Sequence, residues 1–386
     1  MIKKEDYRQC LDYINKHWKK ITFYLPKDEK THIGLPNKFV SPNSNLFKND
    51  QFYWDSYFTI LGLVASGKVR LAKGMVDNLI HLHKRFGIIP SRNRFYNLGI
   101  SQPPFLTSMA SEVFQDTKDK QWLSNVARTA EEELKDYWMK DDTHLVHKGL
   151  SRYCDHFWTH FTAEHESGWD MTSRFHDRCL DYLPVDLNSC LYKYETDLAN
   201  IYNILNNKKK ERAYLNKANK RKKSMLNLMW NEKKGFFFDY DYKNKKQSSF
   251  YSLAGFYPLW ANLATESQAK KMLKSIRKFY YEGGLANTQK SGLSKEFKQW
   301  DYPNGWANQQ WITIKGLLNY GFKSEAERLA IKWLDLNKKV FLKTGKFWEK
   351  YNVVKSDIGK EGRYPIQTGF GWTNAIFVML VKEFSL

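Results

Sequence analysis

Apolar residues along this chain recur mostly at intervals of three and four. Leu71, Met75, Leu79, Leu82 and Phe86 form one such stripe, which predicts a helix ended by Gly87. Trp122, Val126, Ala130, Leu134 and Trp138 form a second stripe. Leu191, Tyr194, Leu198, Ile201 and Leu205 form a third, whose alternating spacing suits a close helix–helix seam. Further helices are expected around 269–279, 311–318 and 326–336. Only the segment 235–242 (GFFFDYDY) reads as strand, and a short β-hairpin beside the functional loops is expected there.

Helix follows helix without βαβ alternation, and no Pro/Ser-rich linker or break in composition divides the chain. One all-α domain spanning residues 1–386 is therefore expected. The helix pairs recur at roughly 50 to 60 residues, the spacing of a closed toroid of helical hairpins. Between helices, the loops 87–105, 164–175, 283–307 and 345–372 concentrate aromatics, glycines, prolines and carboxylates. Loops of that kind on a helical scaffold are where function concentrates.

A 42% hydrophobic and 27% charged composition excludes a disordered or fibrous chain. The net charge of +21 raises nucleic acid as a partner, because clustered cations bind phosphate backbones. The basic residues, however, crowd at Lys208, Lys209, Lys210, Lys217, Lys220, Arg221, Lys222 and Lys223, in what reads as exposed helix, and no nucleic-acid module accompanies them. No nucleic-acid partner is expected. Residues 1–20 are charged throughout, and no segment is apolar enough to span a membrane, which predicts a cytoplasmic protein without a membrane partner. Cys10, Cys154, Cys179 and Cys190 form neither a disulfide framework nor a CxxC pattern, so they read as buried free thiols. His147, His156, His160, His165 and His176 contain no HExxH pair, and neither a metal nor another cofactor is expected.

Four segments combine carboxylates with tryptophan: 52–58 (FYWDSYF), 166–175 (ESGWDMTSRF), 299–307 (QWDYPNGWA) and 347–351 (FWEKY). Indole faces stack on the apolar faces of sugar rings while carboxylates accept hydroxyl hydrogen bonds, so this mixture suggests a carbohydrate cleft. Chance adjacency and core packing of the tryptophans are the alternatives. Asp170 also stands where it would cap a helix beginning near Met171.

The segment Gln299-Trp300-Asp301-Tyr302-Pro303-Asn304-Gly305-Trp306-Ala307 resembles a signature of the trehalase family of glycoside hydrolases, almost letter for letter. In the same collinear order, Tyr53-Trp54-Asp55-Ser56-Tyr57-Phe58, Ser101-Gln102-Pro103-Pro104-Phe105, Glu166-Ser167-Gly168-Trp169-Asp170 and Gly369-Phe370-Gly371-Trp372-Thr373-Asn374 are similar to family segments. So are Pro184-Val185-Asp186-Leu187-Asn188 and Gly283-Gly284-Leu285-Ala286, and the resemblance covers about 35–374. It implies an (α/α)6 barrel and an inverting hydrolase of an α-glycosidic bond, working as a monomer on a small carbohydrate. It also implies Asp170 as general acid and Glu349 as general base. Trp169 and its surroundings are expected to desolvate Asp170 and raise its pKa, while Lys350 keeps Glu349 ionised. The resemblance places Asp55 and Asp301 on the sugar's hydroxyls. Trp54, Gln102, Gly168, Trp300, Asn304 and Trp306 would line the same pocket, and Asp186 and Asn188 could stabilise loops.

The departures bear on the substrate. No arginine occurs between Pro42 and Trp54, Ile100 stands where the family has arginine, and the family's Pro-Arg-Pro-Glu loop is missing. Its Glu-Tyr-Pro reads Arg363-Tyr364-Pro365. Guanidinium contacts are not replaceable by isoleucine. Trehalose, another α-glycoside, or an anionic glycoside received by Arg92, Arg94 and Arg363 therefore remain open as substrates. A saccharide binder without catalysis is the further alternative.

Overall fold

The computed structural model describes residues 7–292 and 296–386. The first six residues of the charged N-terminal stretch and residues 293–295 of the loop 283–307 lie outside the described residues. Thirteen α-helices occur among the described residues: α1 (Arg8–Ile21), α2 (Tyr53–Ala65), α3 (Val69–Phe86), α4 (Leu106–Thr117), α5 (Lys120–Glu133), α6 (His160–Glu166), α7 (Val185–Ile204), α8 (Lys208–Met229), α9 (Tyr257–Trp260), α10 (Glu266–Ser275), α11 (Ala307–Asn319), α12 (Lys323–Thr344) and α13 (Gly371–Glu383). α2 packs on α4, α4 on α7, α7 on α9, α9 on α11, α11 on α13, and α13 back on α2. That closed ring of six, alternating in sequence with α1, α3, α5, α8, α10 and α12 outside it, is the expected (α/α)6 barrel. α6 is extra, a short helix ahead of Asp170.

Sequence explains which helix goes where. In α2 every residue from Tyr53 to Leu63 is buried, and α11 is buried almost as completely. A helix apolar on all sides belongs inside. α8 instead buries one stripe, Tyr214, Ala218, Arg221, Met225 and Leu228, and turns its lysines to solvent. The stripe from Trp122 to Trp138 does not continue as one α-helix. α5 ends at Glu133 and the chain widens into a π-turn, Leu134–Trp138. The wider turn lets the Trp138 indole donate to Glu133 at 3.2 Å and aims the Tyr137 hydroxyl at Glu166.

The hairpin expected at 235–242 is corrected. Phe236–Phe237 pairs with Trp230–Asn231, whereas Tyr240–Asp241 pairs with Tyr182–Leu183 and Lys246–Gln247. Nor is it the only strand segment: the described residues form six sheets of two or three very short strands. Such strands follow loop contacts, not an amphipathic period, so alternation along the sequence does not announce them.

The ring closes tightly where α2 crosses α13. A Cβ on Gly62 would lie 2.3 Å from the Ala375 Cα and 2.8 Å from its carbonyl oxygen, so a methyl there must push backbone apart. Gly62→Ala should therefore lower unfolding stability by about 1–3 kcal/mol, read as a reduced urea midpoint with an unchanged slope.

Candidate active site

The site is built from loops at one end of the ring. A small antiparallel sheet pairs Asn304–Trp306 with Lys350–Asn352, setting Trp306 opposite Lys350 and Gly305 opposite Tyr351. It thereby joins the tryptophan-rich segment 299–307 to the segment bearing Glu349.

The loop bearing Asp170 is fixed from several sides. Glu164 Oε1, on α6, accepts the backbone N–H groups of Met171 at 2.7 Å and Thr172 at 3.1 Å. No helix starts there, and Met171 sits at φ 69°, so the N-cap alternative for Asp170 does not hold. Asp301 accepts the Thr172 hydroxyl at 2.8 Å and the Ser173 N–H at 3.0 Å. Arg174 is fully buried between Asp186, at 2.7 Å to each oxygen, and Asp239, at 2.7 and 2.8 Å. Its guanidinium lies 5.1 Å from the centre of the Trp169 ring. Gly168 has φ 73°, and a Cβ there would meet the Trp54 indole at 2.5 Å, so only glycine lets the loop pass over that ring.

A cavity of about 310 Å³ opens at this end. Trp54, Trp300, Trp306 and Trp372 form its aromatic wall, with Phe47, Phe52, Phe370 and Tyr364 nearby. Trp300 and Trp306 stack in parallel with centroids 4.1 Å apart, and Trp372 stands edge-on to both. The indole N–H of Trp300 points to the Asp170 carboxyl, and that of Trp372 is buried with no partner among the described residues. An unpaired buried donor on a cavity wall suits a hydroxyl-rich ligand.

Three carboxyls face this space: Asp55, Asp170 and Glu349. Glu349 and Lys350 are both fully buried and paired, Lys350 Nζ donating to Glu349 Oε2 at 2.7 Å. The Tyr364 hydroxyl donates to the other oxygen at 2.6 Å, and Lys350 lies 4.8 Å from the Trp306 ring centre. Burial pushes Asp170 up to about 6, with the Glu349 charge adding and Arg363 opposing. Gln299 links Asp170 to Lys350, the ammonium paired with Glu349. Its Nε2 donates to Asp170 Oδ2 at 3.3 Å, and its Oε1 accepts from Lys350 Nζ at 3.4 Å. Burial pushes Asp55 higher, to about 8, helped by the charges of Glu349 and Asp170. His165 moves the other way: burial, and then the neighbouring Arg363 charge, bring it down to about 4. It is neutral near pH 7 and accepts a hydrogen bond from Arg363. The arrangement therefore sets a carboxyl with a raised pKa and a carboxyl paired with an ammonium around one small cavity.

Of the residues singled out from sequence, Trp54, Asp55, Arg92, Gln102, Gly168, Asp170, Trp300, Trp306, Glu349 and Arg363 line the cavity together. Arg94, Asp301 and Asn304 do not. Arg94 is spent on Asp50, at 2.5 Å, and on Thr31 at 2.7 Å. Asp301 braces the loop of Asp170. Asn304 donates to the Gln299 carbonyl at 3.0 Å and accepts from the Lys360 N–H at 3.3 Å. Asp186 and Asn188 are braces as well, on Arg174 and on the backbone of Ser151. Sequence reasoning passed over Tyr364, Trp372 and His165 as site residues, although Tyr364 and Trp372 lie within segments that drew attention. Among the described residues no group of three or more His, Cys, Asp or Glu is placed to hold a metal ion.

A ring of six inner and six outer helices, with a tryptophan-walled cavity and three carboxyls at one end, is an (α/α)6 barrel. The trehalase family model matches residues 1–164 and 154–385, and the chain belongs to the trehalase family. A cytosolic neutral trehalase of Beauveria bassiana is 34% identical over 90% of this chain and 58% of its own length. A periplasmic trehalase of Xanthomonas oryzae pv. oryzae is 33% identical over 91% of this chain and 68% of its own. The chain thus spans little more than half of the fungal relatives. The neutral trehalase of Saccharomyces cerevisiae superimposes with a TM-score of 0.82 at 31% identity, covering 94% of this chain and 76% of that one. A mannosylglycerate hydrolase of Thermus thermophilus shares the fold, at TM-score 0.75 and 16% identity over 96% of this chain and 99% of its own.

Arg363 favours the carboxylate form of Asp170, so removing that charge must raise the pKa. Carbon-13 carboxyl NMR should show Asp170 titrating near 6, well above a free aspartate, and moving higher in Arg363→Gln. An Asp170 that titrates in the ordinary range in both proteins would contradict this account.

Proposed function

We propose that the chain is an inverting glycosidase acting on α,α-trehalose. The observation that carries this reading is the pair of carboxyls in one tryptophan-walled cavity, Asp170 raised to about 6 and Glu349 held against Lys350. Asp170 donates its proton to the glycosidic oxygen as the bond to the anomeric carbon breaks. Glu349 takes a proton from a water that attacks the opposite face of that carbon. Inversion requires roughly 6.5–9.5 Å between such carboxyls, room for that water. Lys350 donates to one oxygen of Glu349 and Tyr364 to the other, which fixes the carboxyl's orientation toward the cavity. Asp55, protonated at neutral pH, offers both a donor and an acceptor to sugar hydroxyls, and the stacked Trp300 and Trp306 offer an apolar wall.

Trehalose is favoured over other α-glycosides because named trehalases of fungi and bacteria match nearly the whole chain at 31–34% identity. The chain is read as a monomer that takes a small carbohydrate in this cavity, with no nucleic-acid partner. The free, buried cysteines suit the cytoplasm, where the fungal relatives are named as cytosolic, although bacterial relatives are periplasmic. No described helix is long and apolar enough to cross a membrane.

Inverting hydrolysis of trehalose releases one glucose as the β-anomer and the other as the α-anomer. Proton NMR of the first products, before mutarotation, should show the two in about equal amounts, whereas a retaining enzyme would give α-glucose alone. Asp170→Asn should lower kcat by about 10²–10⁴-fold with the fold intact. No turnover of trehalose, or a purely α product, would overturn the reading.

A further inference from the structure

A second cavity, of about 360 Å³, is bordered by the outer helices α5 and α8 and shares no lining residue with the first. It is enclosed by the N-terminal half of the π-turn after α5, the turn at Lys148 and Gly149, and the α8 face carrying Lys217, Lys220 and Ser224. The Ser224 hydroxyl donates to the Lys148 carbonyl at 2.8 Å and so pins that turn against α8. Four ammonium groups, from Lys135, Lys148, Lys217 and Lys220, border this one concavity.

The carboxylates that border it are already engaged. Glu195 is held by Arg221 through two contacts, at 3.0 and 3.1 Å, with both groups buried. Glu131 accepts from Lys210 at 2.7 Å and from the Tyr214 hydroxyl at 3.0 Å. Lys135 pairs with the adjacent exposed Asp136 at 3.2 Å. Among the described residues no carboxylate lies within ion-pair distance of Lys148, Lys217 or Lys220. Like charges three residues apart on a helix, as Lys217 and Lys220 are, repel unless an anion intervenes. Here that repulsion is focused on a concave surface with an apolar back wall of Leu134 and Met139.

We propose that this cavity binds a small phosphate monoester, with the phosphate among Lys148, Lys217 and Lys220 and the organic body against Leu134 and Met139. Lysine ammonium groups suit a phosphate as mobile point charges, and the cavity volume falls in the range of small-molecule sites. An extended polyanion is the competing ligand, and the lysines of two separate elements bordering one concavity favour the small one.

Glucose 6-phosphate is the probe, titrated by calorimetry into the full chain at physiological salt. It should bind, inorganic phosphate should displace it, and glucose should not. Lys217→Glu/Lys220→Glu should weaken it at least about tenfold, because two attractions become repulsions. Lys243→Glu/Lys245→Glu, an equal charge change outside the cavity, should leave it unaltered. Both lysines of the first pair are exposed, so the thermal midpoint should not fall. Lys148→Gln, from another element, should weaken binding in the same direction and stands in if that double variant fails to fold. Displacement by glucose would place the probe in the catalytic cavity instead. Equal weakening in the two double variants would reduce the effect to diffuse attraction, and heparin binding without glucose 6-phosphate binding would favour a polyanion. Any of these, or no binding, overturns the proposal; none depends on the trehalose reading.

Discussion

The buried guanidinium of Arg174 is the constraint on which the site rests. A cation without solvent must be matched, and here two carboxylates match it through four hydrogen bonds of 2.7–2.8 Å. Asp186 stands in the first turn of α7, where the helix N-terminus favours negative charge. Asp239 also accepts the Val185 N–H at 2.8 Å, so one carboxylate holds both the guanidinium and the start of the helix. Removing the guanidinium would strand two buried carboxylates, a change of a size that breaks folds. The loop following Gly168 is thereby tied to the ring, and Asp170 inherits its place from that tie.

What the ring then supplies is a cavity with buried walls in which similar groups become different. Burial drives both Asp55 and Asp170 up, yet they settle near 8 and near 6: Arg363 opposes the rise at Asp170, while the charges of Glu349 and Asp170 add to it at Asp55. Glu349, equally buried, has an ammonium on one oxygen and a phenol on the other. Environment, not residue type, divides the labour. Gln299 keeps the two halves in register by touching both Asp170 and Lys350.

The helices were legible because each carries its burial pattern in its own residues. Leu71 to Phe86 reads as a stripe on paper and packs as one in α3. The ring closure itself followed from hairpin spacing and resemblance, since no single stripe says which helix its neighbour will be. The small strands were illegible for the converse reason: pairing Trp306 with Lys350 is decided by how two distant loops meet. The same limit governs the site. Motif reading gathered Trp54, Asp55, Trp300 and Glu349 correctly into one cavity, but it could not separate residues that face the cavity from those that brace it. Asp301 and Asn304 sit within the same nine-residue motif as Trp300 and Trp306, and only the fold turns them inward to the backbone. Arg174 carried no signal, because its partners lie 12 and 65 residues away.

The places where this chain leaves its family's pattern converge on the cavity mouth. Ile100 lines the cavity where the family carries a guanidinium, and Arg363 lines it where the family carries a carboxylate. The two exchanges are linked by charge: one loses a cation from the rim and the other restores one. Arg363 leans on a neutral His165, and a neutral partner leaves its charge undiminished. That charge acts twice. It holds Asp170 near 6, where an acid of its burial would otherwise sit higher, and it leaves donors free toward whatever occupies the outer part of the cavity. A substitution of the substrate's grip is therefore also a substitution in the acid's strength, and neither can change alone.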